Sequence, residues 1–365
     1  MSTARVARPA NTAEFVDIAA YFASHASAVD QGQELSSQGI AALGAQGLLD
    51  LGAPGNHNGE LGAMSELVAL VAEESMASAF SLWAHRMAIE YLHQSTPGQS
   101  SASAPLIAYR QALIDGTLPG VTAMAAAVNY AWGHGQLGVR FERQGDEVVL
   151  NGRINWASNL FADGFLVVTA AQDDQGQEIV VAVPSHTSGV EVQPYPELLA
   201  LNATASSSLI LNEVRVSTSL IITEDLRSFL AQVRGPFLLL QASFALGIAK
   251  AALRSTESRL GGLNEVFINR FNATNQLYND ARAQLAELTS RHDWRDVERE
   301  VLALRLEASG IAEESVHLEA RVHGGAAYFS QSATARRLRE VAFLPIQSPT
   351  EALLRHELAC LPSTT

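Results

Sequence analysis

The arrangement of apolar and polar positions changes character twice along the chain. From about Thr12 to Ile114 the sequence is Ala-rich with few β-branched runs. Leu67, Leu70, Val71, Glu74, Ala77 and Ser78 recur at helical spacing, which predicts helices with one apolar face. Near Pro119 the pattern turns to β. Gly138–Leu150 consists of two alternating runs joined by Gly145-Asp146, the signature of a hairpin. The next stretch, Asn151–Ala170, places Trp156 and Ser158 two apart on an extended segment, so both side chains project from one face, and the β-branched run Val167–Thr169 continues the sheet. Glu178–Pro184 and Ser208–Val216 are further strands, and together these segments predict a small antiparallel barrel or sandwich. From Thr223 the helical pattern returns, with Glu224-Asp225 expected in a first turn. Phe237–Ala249 is apolar nearly all round, as a central bundle helix must be, and Val301, Leu304, Ala308, Ile311, Ser315 and Leu318 mark another bundle member. The expected organisation is α+β and multidomain: helices over 1–117, a β domain over 118–222 and a helical bundle over 223–365.

Composition narrows the possible functions. The 365 residues are 47% hydrophobic, enough for a large core, and carry a net charge of −14 with no basic run, which argues against nucleic acid as a partner. A single cysteine, Cys360, excludes an intramolecular disulfide framework and a Cys-rich metal site, and is compatible with a reducing, cytoplasmic setting. Met1–Ala10 has charges but no apolar core of secretory type, so no export signal is expected. The apolar run Pro236–Leu253 contains Gln241, Ser243 and Lys250, which suits a buried helix better than a membrane span. His85 and His93, eight apart on one helix, lie too far from each other to share a metal, and no metal site is expected.

Periodicity alone favours an ordinary β domain in which Trp156 is core. The motifs say more. Gly152, Trp156, Ser158 and Asn159 are in register with the Gly-x-Lys-x-Trp-Ile-Thr-Asn strand of the acyl-CoA dehydrogenase superfamily, which this segment resembles. The resemblance extends nearly end to end and implies a helical domain, a β domain and a C-terminal four-helix bundle. It also implies FAD, with FMN as the alternative, the Trp lying against the flavin and the hydroxyl two residues on meeting its ring nitrogen region. The turn cluster Leu51–Gly62 resembles the family's Pro-x-x-x-Gly-Gly-x-Gly loop. Val121–Gly133 takes the place of a flavin-contacting strand; its Glu-Pro and Gly-Ser-Asp features are gone, but backbone donors around Met124 and Ala125 survive substitution. Leu201–Ser206 and Leu209–Val216 are similar to two further family strands.

Val322–Phe329 followed by Arg336–Glu340 resembles the segment whose Gly pair reaches the FAD of a neighbouring subunit. Gly324, Gly325 and Tyr328 match, Arg321 replaces a Gln, and the following arginines suit a phosphate. Arg259 falls in the column of an arginine that contacts the pyrophosphate across the dimer. These features imply a homodimer or homotetramer, or a heteromer.

The catalytic expectations are less regular. The family removes an α-proton with a Glu that here is Ser348, in Ile346–Thr350, with Thr350 in a flavin-contacting column. Relatives that move the Glu to the bundle helix place it ten residues before Gly247, which is Phe237. A hydroxyl cannot take that proton unaided. Glu351, three residues on, and His85, in the column of a substrate-side His of flavin monooxygenases, complete the catalytic candidates. Three functions follow from the resemblance: a flavin oxidoreductase on an acyl thioester such as acyl-CoA or a comparable apolar substrate, a flavin monooxygenase supplied with reduced flavin, and a non-catalytic partner subunit.

Overall fold

The computed structural model describes residues 12–54, 56, 60–94 and 103–361, with side chains from Asp17 onward. The Met1–Ala10 stretch and four residues of the turn cluster, Gly55, His57, Asn58 and Gly59, lie outside the described residues.

Helices come first: α1 (Thr12–Asp30), α2 (Ser37–Ala45), α3 (Gly62–Glu74), α4 (Met76–His93) and α5 (Ala104–Ile114). The apolar stripe that begins at Leu67 is divided between α3 and α4, because Ser75 adopts an extended backbone and its hydroxyl accepts from the Ser78 N–H at 3.2 Å, capping α4.

The sheet contains β1 (Gly120–Ala123), β2 (Val139–Gln144), β3 (Glu147–Ala157), β4 (Leu166–Gln172), β5 (Glu178–Pro184), β6 (Val190–Val192), β7 (Ser207–Ser217) and β8 (Ile221–Thr223), with helix α6 (Ala125–Ala131) inserted after β1. The β2–β3 hairpin turns at Gly145-Asp146, with Gln144 opposite Glu147 and Gly145 at φ +62°. Strand order is β6-β7-β3-β2-β4-β5-β8, with β1 added on β4. Two joins depart from the antiparallel expectation: β1 and β2 both run parallel to β4. For β1, the intervening α6 and β2–β3 hairpin supply the crossover that a parallel neighbour requires. Leu201–Ser206 is not a strand. It holds a tight turn, Asn202–Thr204, flanked by Leu201 and Ala205 in the left-handed region at φ +63° and +47°.

The last third is helical: α7 (Leu226–Glu257), α8 (Ile268–Thr289), α9 (Glu298–His323), α10 (Ala333–Val341) and α11 (Glu351–Cys360). Asp225 precedes α7 as its N-cap, its carboxylate accepting from the Ser228 N–H at 3.0 Å. α7 is long and apolar enough to cross a membrane, but 94% of its most apolar window is buried in the protein. It packs so closely on α3 that a Cβ at Gly247 would lie 2.3 Å from the Ala69 carbonyl oxygen.

Of the contacts between the helical layer and the sheet, one peptide is held through both of its polar groups. The Gly120 N–H donates to Nδ1 of His85 at 2.9 Å, and the Gly120 carbonyl accepts from Nδ2 of Asn159 at 3.0 Å. His85 Nε2 in turn donates to the Leu113 carbonyl at 2.9 Å, and Asn159 Nδ2 also donates to the Ser81 carbonyl at 2.9 Å. Gly120 itself has no room for a side chain, since a Cβ would lie 2.6 Å from Cβ of Ala88. Both clamping residues are fully buried.

This clamp makes stability depend on pH. Burial lowers His85 to about 4, and His93 likewise to about 4. Unfolded imidazoles titrate near ~6.5, so both contribute stability that is complete above that pH and is lost as the pH falls toward the folded values. Glu340 acts oppositely: burial raises its carboxyl to about 7, so its contribution favours the folded state at low pH and fades as the pH rises. The His85 contribution is therefore isolated by comparing the protein with His85→Gln in equilibrium unfolding. The stability gap is expected to be widest at neutral pH and to narrow toward pH ~4.

Candidate functional site

A cavity of about 500 Å³ opens where α4, β1, the end of β3, α7 and the segment after α10 converge. That volume lies within the ~300–1,000 Å³ usual for small-molecule and cofactor sites. One wall is aromatic. Phe80 and Trp83 stack at 5.4 Å, Phe237 meets Trp83 edge-on at 4.9 Å, and Phe343 meets Phe80 edge-on at 4.9 Å. The Trp83 indole N–H donates to the Phe237 carbonyl at 3.2 Å, so the large ring is satisfied within the wall. Opposite elements bring Thr122 from β1, Ala125 from α6, and Trp156, Ala157 and Ser158 from the end of β3; Leu198–Leu201 closes another side. Trp156 remains 45% exposed, an indole that this chain's own core does not cover.

Ser158 is buried and belongs to a chain of hydroxyls: its Oγ is 2.6 Å from Ser206 Oγ, which is 2.7 Å from Thr204 Oγ1. The direction of the protons is determined. Thr204 donates to the Leu201 carbonyl at 2.8 Å, which can only accept. Ser206 must then donate to Thr204, and Ser158 to Ser206, so Ser158 is left with lone pairs and no free proton. A ligand that meets Ser158 must bring the donor. The strained Leu201 and Ala205 hold the turn that carries Thr204 into this chain.

The floor is formed by Gln347 and Ser348. Ser348 Oγ and Gln347 Nε2 are buried without hydrogen-bond partners. The carbonyls on either side of them are engaged: Gln241 Nε2 donates to the Ser348 carbonyl at 3.0 Å, and Arg305 NH2 donates to the Leu344 carbonyl at 2.9 Å.

The sequence candidates divide sharply. Trp156, Ser158, Ala125 and Ser348 line the cavity together. Met124 is buried just behind Ala125, at the start of α6, where first-turn N–H groups lack intrahelical acceptors as in any helix. Phe237, in the alternative base column, is also on the wall. The catalytic expectation for His85 is corrected: both ring nitrogens serve the Gly120 clamp, and the ring does not reach the cavity wall. Glu351 is also elsewhere, in the first turn of α11 and paired with Arg355 at 2.7 Å. Thr350 caps α11, its hydroxyl accepting from the Leu353 N–H at 3.4 Å, and it does not line the cavity.

Arg259, Arg321, Gly324 and Gly325 are exposed and distinct from the cavity. They lie on segments drawn together by Asn264, whose amide donates to the Arg259 and Val322 carbonyls, both at 2.9 Å. The phosphate role expected of the Arg336–Arg339 run is corrected by its internal pairing. Arg337 grips Glu319, Arg336 donates to the Glu74 carbonyl at 2.6 Å, and Arg339 pairs with Asp30 at 2.5 Å. Three polar residues at or behind the wall escaped sequence reasoning as site residues: Gln241, Arg305 and Gln347. Their only sequence signal is a polar residue interrupting an apolar run, as Gln241 does.

No protein-family model matches the chain, and no curated protein matches it. Solved structures do. Butyryl-CoA dehydrogenase from Megasphaera elsdenii superposes with a TM-score of 0.80 at 16% identity, covering 95% of this chain and 96% of that one. A probable acyl-CoA dehydrogenase from Mycobacterium abscessus gives 0.79 at 19% identity, covering 96% and 98%. PigA, solved with FAD and proline, gives 0.78 at 18% identity, covering 96% and 98%. The agreement spans helices, sheet and bundle alike, so the chain has the acyl-CoA dehydrogenase fold.

Proposed function

We propose that the protein is a flavin-dependent oxidoreductase that holds its flavin, FAD by resemblance, beside Trp156 and acts on a small, largely apolar substrate without a carboxylate base of its own. The observation that carries this reading is the composition of the cavity wall. It offers an uncovered indole and an acceptor hydroxyl, yet no Asp, Glu or His lines it among the described residues. Both columns in which the resemblance places the base face the cavity, as Ser348 and Phe237, and neither can take an α-proton at neutral pH. Dehydrogenation of an acyl thioester thus lacks its base on this wall, and the monooxygenase alternative, in which the flavin arrives reduced, lacks the substrate-side His85 contact that the resemblance implies. A bound flavin would supply two-electron chemistry and, when reduced, reactivity toward dioxygen. This chain's residues would cover the ring with Trp156, accept a hydrogen bond at Ser158 and exclude water with the Phe80, Trp83, Phe237 and Phe343 wall.

The exposed end of the bundle supports a second copy as partner. Leu263, Val266, Tyr328 and Phe329 are 94%, 79%, 94% and 72% exposed, beside Arg259 and the Gly pair that the resemblance assigns to a neighbour's cofactor.

Four measurements test this reading. Cofactor released from the purified protein should be FAD, and anaerobic addition of butyryl-CoA should leave the flavin absorbance unbleached; bleaching on the timescale of turnover would establish a base and overturn the proposal. In Ser206→Ala the Ser158 proton is no longer committed, so the acceptor that suits a reduced flavin N–H weakens. The bound flavin's midpoint potential should drop by roughly 30 mV, about 1.4 kcal/mol for a two-electron couple; an unchanged potential would show that Ser158 does not meet the ring. Light scattering should give a dimer or tetramer that Val266→Glu with Phe329→Glu shifts toward monomer, and a monomeric parent protein would remove the shared-cofactor reading.

A further inference from the structure

Among the described residues, the buried arginines other than Arg305 face carboxylates. Arg86 pairs with Glu90 at 2.8 Å, Arg337 with Glu319, and Arg336 faces Glu340 at 3.8 Å, while the partly buried Arg234 pairs with Glu357 and Glu298. Arg305, on α9 and 1% exposed, is the exception. Its partners are all neutral: Gln241 Oε1 at 2.8 Å, the Leu344 carbonyl at 2.9 Å and Gln347 Oε1 at 3.4 Å. Burial lowers its guanidinium to about 10, which leaves it charged at neutral pH. An uncompensated buried cation is costly, and an anion that completes it is correspondingly favoured.

The polarity of the groups between Arg305 and the cavity is determined by donor logic. A guanidinium only donates, so the oxygen of each amide must turn toward it, and the nitrogens must point away. The Gln241 nitrogen reaches the Ser348 carbonyl at 3.0 Å. The Gln347 nitrogen reaches nothing, although Gln347 is only 4% exposed and lines the cavity. Ser348 Oγ beside it is likewise buried and free. Arg339, which does line the wall, is already held by Asp30 at 2.5 Å and by the Ser330 carbonyl at 3.0 Å. The floor therefore presents an amide N–H and a hydroxyl, with an unneutralised positive charge behind them and apolar walls above.

We propose that Gln347 and Ser348 form a carboxylate subsite, with Arg305 as the buried countercharge, so that the substrate is a small apolar molecule ending in a carboxylate. The amide and the hydroxyl each donate to a carboxylate oxygen, and Arg305 acts through the polarised Gln347 amide as a positioning and charge-supplying residue. The proposal rests on reading this cavity as the substrate site. It goes further by naming the group the floor selects.

Butyrate and hexanoate, titrated against butyramide and hexanamide by tryptophan fluorescence of the protein as purified, test it. Each acid should bind at least roughly tenfold tighter than its amide, the ratio expected of a charge-assisted hydrogen bond over a neutral one. Gln347→Glu places a permanent carboxylate against Arg305. It should raise the unfolding temperature and abolish the preference for the acids. Ser348→Ala should weaken the acids by a smaller factor and keep the order. Equal binding of acid and amide by the parent protein, or a preference that survives Gln347→Glu, overturns the subsite. Flavin content, measured in parallel, separates the two readings. A flavin-free protein that prefers butyrate supports the subsite and removes the oxidoreductase, whereas a flavin-loaded protein indifferent to charge removes the subsite alone.

Discussion

The geometry of the cavity depends on the grip exerted on one peptide, Gly120. Its N–H and its carbonyl are held from opposite directions by His85 on α4 and by Asn159 just beyond β3, and the absence of a side chain lets Ala88 close to contact distance. The same two residues reach outward to Leu113 and Ser81, so that five points in sequence are locked into one hydrogen-bonded unit. Four of them lie next to a stretch of cavity wall: Phe80 precedes Ser81, Ala84 precedes His85, Thr122 follows Gly120 by two, and Ser158 precedes Asn159. A wall assembled from a helix, a parallel strand and a strand end has no continuous hydrogen-bond ladder to set its spacing. The buried polar clamp performs that task, and its donors and acceptors are costly to leave unpaired, which makes the arrangement stiff.

The second determinant is the stretch of α7 from Gly235 to Ala249, which has no solvent face. Because α7 is buried on nearly every side, its polar side chains must be satisfied internally. Ser243 meets Ser65 at 2.8 Å across the α3 contact, and Gln241 ties Arg305 to the Ser348 carbonyl. Packing α7 at the centre of the bundle therefore creates the route by which a cation on α9 influences the cavity floor. Some of the other interior charges are neutralised in pairs between segments distant in sequence, such as Arg337 with Glu319 and Arg339 with Asp30, which hold α10 against α9 and α1.

How much of this was legible in the sequence follows from the range of each interaction. Trp156 and Ser158 were readable because a period-two strand fixes which neighbours share a face, a relation spanning three residues. The succession of helices, strands and helices was readable from period and β-branching. His85 was readable as a helical residue but not as a clamp, since its partners Leu113 and Gly120 are 28 and 35 positions away. The basic run Arg336–Arg339 looked like a phosphate site because the acids that occupy it, Glu319 and Asp30, come from other helices. Arg305, Gln241 and Gln347 were invisible for the same reason: each is one polar residue in an apolar or mixed stretch, and only the bundle brings three such residues to one point.

The missing base and the buried cation are two aspects of one electrostatic choice. A general base must hold its pKa close to working pH, which a dry pocket achieves by disfavouring the charged carboxylate. Arg305 stands one glutamine away from the Ser348 backbone, and a carboxylate at that position would gain its field and be held ionised well below that range. It would become a stable ion-pair partner and a poor proton acceptor, as Glu319 already is beside Arg337, where the guanidinium overcomes burial and leaves the carboxyl below its ordinary value. A fold that places a guanidinium behind this floor therefore gives up proton abstraction there. The same charge, left unneutralised by the protein, makes the floor attractive to an anion brought by a ligand. A serine at this position leaves that charge available to a ligand, and its unpartnered hydroxyl offers a hydrogen-bond donor.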